Sequence, residues 1–247
     1  MRYEIFVYLL PLVFVAYFCK ATTGFGSAII MMAIGSIIVG PVPALILTAV
    51  LDVVGGLALL RLDTTRDTRR LWMPLSIAMV TGVTLGGVLL RLFALDHIQY
   101  AIALGLLSVG AWLIFVRSRY ESSRLRSNLP EALQFKDLGV CLVGVVCGGL
   151  SGLSGAPVVF YFGKRLGKEG FRRILTRIFL AEALARLAVY LALGVLDAHW
   201  LVISLLAMPP MFLGLYVGNR AFFKTPETWY SRVTGAISIV AAVRILM

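Results

Sequence analysis

The chain has 247 residues, of which 60% are hydrophobic and 14% charged, and its mean hydropathy is +0.94. Soluble domains run at roughly 45–50% apolar and about 25% charged residues, so a soluble globular fold is excluded. The net charge of +11 does not point to nucleic acid, because no basic face with interleaved aromatics lies outside the inter-segment loops.

In chain order, Arg2 precedes an apolar run over about Ile5–Cys19. Phe18-Cys19 puts a large aromatic where a signal cleavage site needs a small residue, which predicts a retained first helix. A break at Ala21-Thr22-Thr23-Gly24-Phe25-Gly26-Ser27 follows, and apolar sequence resumes over Ser27–Val39. The first half continues with Pro43–Leu60, Leu71–Phe93 and Ile98–Val116. Leu71–Leu90 has no charge, and at about 1.5 Å per residue it reaches across a hydrocarbon core of about 30 Å.

Residues 117–137 are polar and contain Pro130, which bars them from a membrane helix. They are read as a cytoplasmic linker between a first transmembrane repeat, 1–116, and a second, 138–247. The second half gives Leu138–Leu150, a short run Ala156–Phe162, then Ile174–Leu196, Trp200–Phe222 and Thr228–Met247. Its own break is Gly149-Leu150-Ser151-Gly152-Leu153-Ser154-Gly155. Thr48 follows Gly24, and Thr176 follows Gly152, by the same 24 residues, and Gly-x3-Gly pairs recur at Gly82/Gly86 and Gly214/Gly218. The runs flanking each break are short for a span, which suits half-helices or re-entrant hairpins.

Charge placement sets the orientation. Seventeen of the 23 Lys and Arg fall in Arg61–Arg70, Arg117–Lys136, Lys164–Arg173 and Arg220–Arg232, which marks those loops as cytoplasmic. Pro43–Leu60 then runs outside to inside and its counterpart Ile174–Leu196 inside to outside. The expected fold is therefore an all-α integral membrane protein of two inverted repeats. Each repeat has about five hydrophobic segments, roughly 8–10 transmembrane or half-membrane helices in all, with glycine-rich helix breaks. Both chain ends are expected outside a multi-pass cell inner membrane.

Matched breaks in corresponding segments are a pointer to a transporter's central site. A helix restarting after a break offers free N–H groups with partial positive charge, which favour an anion. The candidate substrate-binding residues are Lys20, Thr22, Thr23, Gly24, Gly26, Ser27, Thr48, Ser151, Gly152, Ser154, Gly155 and Thr176. Ser27 and Ser154 are placed as N-cap donors or ligands. Lys20 is either a positive charge facing the substrate or a lysine snorkelling to headgroups.

Asp52 is the only charge in its segment; it is a candidate for proton or ion coupling, or the partner of a cation on a neighbouring helix. Glu182 and Arg186, four residues apart, are read as satisfying each other. The cysteines Cys19, Cys141 and Cys147 give neither a disulfide framework nor metal-ligand spacing. No catalytic constellation, metal site or cofactor motif is expected: His97 and His199 sit in turns, and neither break matches a phosphate loop.

The chain resembles the TauE/SafE family of membrane permeases. The likeness rests on Gly24-Phe25-Gly26-Ser27 with Gly35-x4-Gly40-x2-Pro43, on Gly82-x3-Gly86, and on Gly148-Gly149-x-Ser151-Gly152-x2-Gly155-x-Pro157. The first break carries two glycines where the family often has a longer run. The resemblance implies a secondary transporter for a small anion such as sulfite or an organosulfonate. Its partners would be the anionic solute and the lipid bilayer, with a proton or sodium as the coupling ion and a homodimer as a compatible assembly. An anion channel-like pore and a non-transporting membrane scaffold or assembly protein are the alternatives.

Overall fold

A computed structural model describes residues 3–61, 69–92 and 168–221, with isolated helical positions at 100, 103, 104, 107, 111, 236, 239, 240 and 243. The predicted linker, the second glycine break and the runs Leu138–Leu150, Ala156–Phe162 and Thr228–Met247 lie outside the described residues. Among the described residues every regular element is helical.

Helix α1 spans Tyr3–Thr23. Gly24 and Gly26 follow with φ of 83° and 103°, a region that costs L-residues about 1–2 kcal/mol and glycine little. The chain turns there and re-enters helix at α2, Ser27–Ile30. A π turn over Met31–Gly35 connects α2 to α3, Ser36–Val39. A π turn disturbs the regular backbone ladder, and here the Ser36 hydroxyl donates to the Met32 carbonyl. Gly40, at φ 94°, ends the segment, and Pro41 opens α4, Pro41–Arg61, where a missing N–H is harmless.

The remaining described helices are α5, Arg69–Leu92, α6, Lys168–Ala192, α7, Ala198–Leu206, and α8, Met208–Ala221. Helix α6 closes with Gly194 at φ 67°. Val195 N–H donates to Tyr190 C=O at 3.0 Å and Gly194 N–H to Leu191 C=O at 3.1 Å, the paired bonds of a Schellman cap. Asp197 then caps α7, its carboxylate accepting from the His199 N–H at 3.0 Å. The sequence reads Trp200–Phe222 as one span. The structure instead breaks it into α7 and α8, bent by 44°, with Pro209 and Pro210 just inside α8, where proline fits a helix start.

Helix α4 is the centre of the packing. Apart from Thr48 and Asp52 it is apolar over most of its length, and a helix of that kind is largely buried. One side joins Phe25, Ile29, Met32, Leu75, Met79, Ile174 and Ile178 from the break, α2, the π turn, α5 and α6. The other side joins Leu9, Val13, Tyr17, Ile203, Met211 and Leu215 from α1, α7 and α8. Helix α8 lies along α1, and α6 lies along α4 and α5. The α1–α8 approach is very close: a Cβ built on Gly214 would sit 2.4 Å from the Phe14 carbonyl oxygen, and one on Gly218 2.5 Å from that of Phe18. That approach is what small residues at membrane helix contacts permit.

Pro41–Arg61 is long and apolar enough to cross a membrane by itself, and α7 with α8 would make a second, bent span. Val202, Leu205, Phe212, Leu213, Tyr216 and Val217 point outward from α7 and α8. An exposed apolar belt of this kind suits lipid better than water.

Candidate functional site

The first break places one cluster of charge inside the protein. Lys20 lies one turn before the end of α1, and Asp52 lies in the middle of α4. Their side chains meet at 2.6 Å between Nζ and Oδ1. The same Oδ1 accepts from the Ser27 hydroxyl at 2.7 Å and from the Tyr17 hydroxyl at 2.9 Å. Lys20 Nζ also lies 5.5 Å from the centre of the Tyr17 ring, since Tyr17 is three residues earlier on the same helix face. Gly55 makes room for this tyrosine: an added Cβ would lie 2.9 Å from Tyr17 Cε1.

Of the two sequence readings of Lys20, the snorkelling one fails. Lys20 is 3% exposed and Asp52 6%, so neither reaches headgroups. Asp52 is both the partner of a cation on a neighbouring helix and a wall of a cavity. Lys20, Gly26, Ser27, Asp52, Glu182 and Arg186 supply the polar side of that cavity, and Phe25, Ala28, Ile29 and Phe179 the apolar side. Its empty volume is about 380 Å³, including the part open to the outside.

Helix α6 brings the second ion pair to the same cavity. Arg186 Nη2 donates to Glu182 Oε1 one turn away, as the sequence spacing predicts. The pair does not exhaust the arginine, however. Arg186 is 2% exposed, and its Nε and Nη1 have no hydrogen-bond partner among the described residues. Buried donors are nearly always satisfied, and each orphan costs roughly 1–3 kcal/mol. Two guanidinium nitrogens beside a cavity are donors that an acceptor in that cavity could engage.

The other sequence candidates fall out unevenly. Gly24 and Gly26 form the break, but the Gly24 N–H closes α1 by donating to the Lys20 carbonyl at 2.8 Å and is not free for an anion. Ser27 does not act as the N-cap of α2. Gly26 occupies that position without a side-chain bond, and the Ser27 hydroxyl is drawn to Asp52 instead. Thr22 donates to Cys19 C=O at 3.0 Å, Thr48 to Ala44 C=O at 2.6 Å, and Thr176 to Arg172 C=O at 2.8 Å. Their protons are committed to their own helices, the usual fate of an unpartnered hydroxyl within a helix. The Thr23 side chain and Ser151, Gly152, Ser154 and Gly155 lie outside the described residues.

Sequence reasoning missed Tyr17 and treated Arg186 as satisfied. The available signal for Arg186 was stoichiometric: a guanidinium has five N–H bonds, and one carboxylate a single turn away cannot occupy them all. For Tyr17 the signal was its position three residues before Lys20.

Comparison with curated proteins returns no match, and neither does comparison with solved structures. A family profile does match, over residues 9–245, and its description is Sulfite exporter TauE/SafE. Nearly the whole chain is covered, including the first glycine break and both ion pairs. The chain belongs to the sulfite exporter TauE/SafE family, whose members are membrane transporters rather than enzymes.

Proposed function

We propose that this protein is a secondary transporter that binds one small sulfur-containing anion, sulfite or an organosulfonate, in the cavity at the first glycine break. One observation carries the reading: Arg186 is buried at the cavity with Nε and Nη1 unpartnered among the described residues. Lys20, Gly26 and Ser27 share the same lining, which adds a second cation and a hydroxyl to the cavity wall. The apolar lining from Phe25, Ile29 and Phe179 lowers the local dielectric, which strengthens every charge contact in the cavity.

In this reading the second break, Gly149–Gly155, belongs to an inverted repeat. Its Ser151, Gly152, Ser154 and Gly155 approach the same anion from the opposite side of the membrane. Alternating access then comes from rocking one repeat against the other, with the basic loops on the cytoplasmic side of the inner membrane. Gly24 and Gly26, the 44° bend between α7 and α8 and the π turn at Met31–Gly35 are the points where such a motion is least hindered.

Flux of radiolabelled sulfite and of ethanesulfonate into proteoliposomes tests this directly. Arg186→Gln and Gly26→Leu should reduce saturable flux at least about tenfold, the equivalent of 1.4 kcal/mol or more of lost anion stabilisation, at unchanged protein abundance. Undiminished flux in both variants would overturn the site. Flux that rises linearly with concentration and follows voltage alone would favour a pore, and no flux of any anion in the unmodified protein a scaffold.

A further inference from the structure

Among the described residues, four buried charges line one cavity, and they cancel. Lys20 and Arg186 are positive, Asp52 and Glu182 negative, and none is more than 6% exposed. An anion entering this neutral site would leave one negative charge uncompensated in a low-dielectric interior, and such a charge costs several kcal/mol. Taking up one proton removes that cost. We propose that Glu182 carries this proton: the incoming anion replaces the Glu182 carboxylate as the partner of Arg186, and Glu182 is protonated as it lets go. This rests on the anion-transport reading above and adds to it the coupling ion and its carrier.

Geometry separates Glu182 from Asp52, to which the sequence points first. Protonating Asp52 would disturb Oδ1 contacts to Lys20, Tyr17 and Ser27 together. Those contacts join α1, α2 and α4 at the break. Protonating Glu182 breaks one ionic contact, to Arg186 Nη2, within a single helix. In the exchange a proton from the aqueous side joins a Glu182 carboxylate oxygen, the contact between Oε1 and Nη2 opens, and Nη2–H with Nε–H, which share one edge of the guanidinium, donate to the anion. Arg186 keeps its charge throughout, and the loaded site is again neutral. Anion and proton sit one helical turn apart and cross together, in the same direction.

Among the described residues, the titratable and charged groups around Glu182 are few. Its own helix brings Arg186 and Tyr190, α4 brings Asp52, and α1 brings Lys20 and Tyr17. The described side chains of α5, residues 72–85, include no charged or titratable group. Among the described residues no group of three or more carboxylates, histidines or cysteines is arranged to hold a metal ion.

The test counts protons. Methanesulfonate, a monoanion whose charge is fixed across the neutral range, is added to the purified full chain in weakly buffered detergent solution, with ethanesulfonate, also a monoanion, as a second probe. Binding should take up about one proton per anion, and raising the pH should weaken it accordingly. Glu182→Gln, which keeps an acceptor for Arg186, should bind the anion with no proton uptake and no pH dependence. In proteoliposomes it should keep anion exchange but lose accumulation driven by a pH gradient. Glu182→Asp, with its carboxyl on the same turn, should retain the uptake and covers the case in which the glutamine variant does not fold.

Anion binding by the unmodified protein without proton uptake, or binding that needs sodium instead, overturns the proposal and leaves the anion site standing. Undiminished proton uptake in Glu182→Gln overturns the assignment to Glu182. No binding of either probe at any pH removes the anion site and the proposal with it.

Discussion

Lys20 and Asp52 illustrate why an internal ion pair is a poor source of net stability and a strong constraint. Two charges lose their hydration when buried, and their mutual attraction only roughly offsets that loss. Removing one partner is different. Lys20→Met leaves the Asp52 carboxylate with only the Tyr17 and Ser27 hydroxyls and should destabilise the protein by about 3–5 kcal/mol. The double variant Lys20→Met/Asp52→Leu should recover most of that loss, because no charge is then left alone. Thermal unfolding in detergent for the two singles and the double measures this, and a double variant as unstable as the sum of its singles would contradict it. Tyr17→Phe, which deletes one donor to a buried carboxylate, should cost about 1.5–3 kcal/mol in the same assay.

Helix packing around the site depends on glycines in two distinct ways. Gly24 is needed for its backbone, with φ of 83° and a virtual Cβ 3.0 Å from Arg172 Cα. Gly214 and Gly218 are needed for their lack of a side chain, because α1 backbone carbonyls occupy the space. Gly214→Ala should therefore loosen the α1–α8 contact and lower stability by about 1–3 kcal/mol, the usual cost of overpacking. Gly35→Ala is the matched control: its nearest neighbours are side-chain carbons at 3.7 Å, ordinary contact, and unfolding temperatures of the two variants compare them. Helix α1 carries both Tyr17 and Lys20, so Gly214→Ala should also impair anion flux, although residue 214 does not line the cavity.

Across the whole molecule, loop charge predicts an orientation that labelling can test. Single cysteines in a cysteine-free background should be labelled by an impermeant maleimide only from the cytoplasmic side at Thr65 and Ser123, and only from the outside at Ala198. Labelling of residue 198 from the cytoplasmic side would reverse the assignment of α6 and with it the inverted relation of the repeats. Among the described residues the helices were legible to within about six residues, the largest difference being Ile174–Leu196 found as Lys168–Ala192. Pro43–Leu60 is found as Pro41–Arg61, and the run Ser27–Val39 has the observed limits. Trp200–Phe222 was not legible as two helices, because hydropathy is continuous across a bend. The contacts of the site were less legible, since Thr22, Thr48 and Thr176 read as free donors and only the folded backbone shows them turned onto their own carbonyls.

By itself the sequence determined that the chain lives in a membrane, that it is helical, that a glycine break interrupts its first segment, and that Lys20 and Asp52 need an explanation. Composition, periodicity and charge are local properties, and they suffice for that much. Tertiary structure alone decided which charges meet. Lys20 and Asp52 are 32 residues apart, and Glu182 and Arg186 lie on a helix more than a hundred residues further on. Only the packing of α6 against α4 brings all four to one cavity. Among the described residues it also left Arg186 with donors unpartnered, because hydrogen-bond satisfaction is a property of neighbours in space and not of neighbours in sequence.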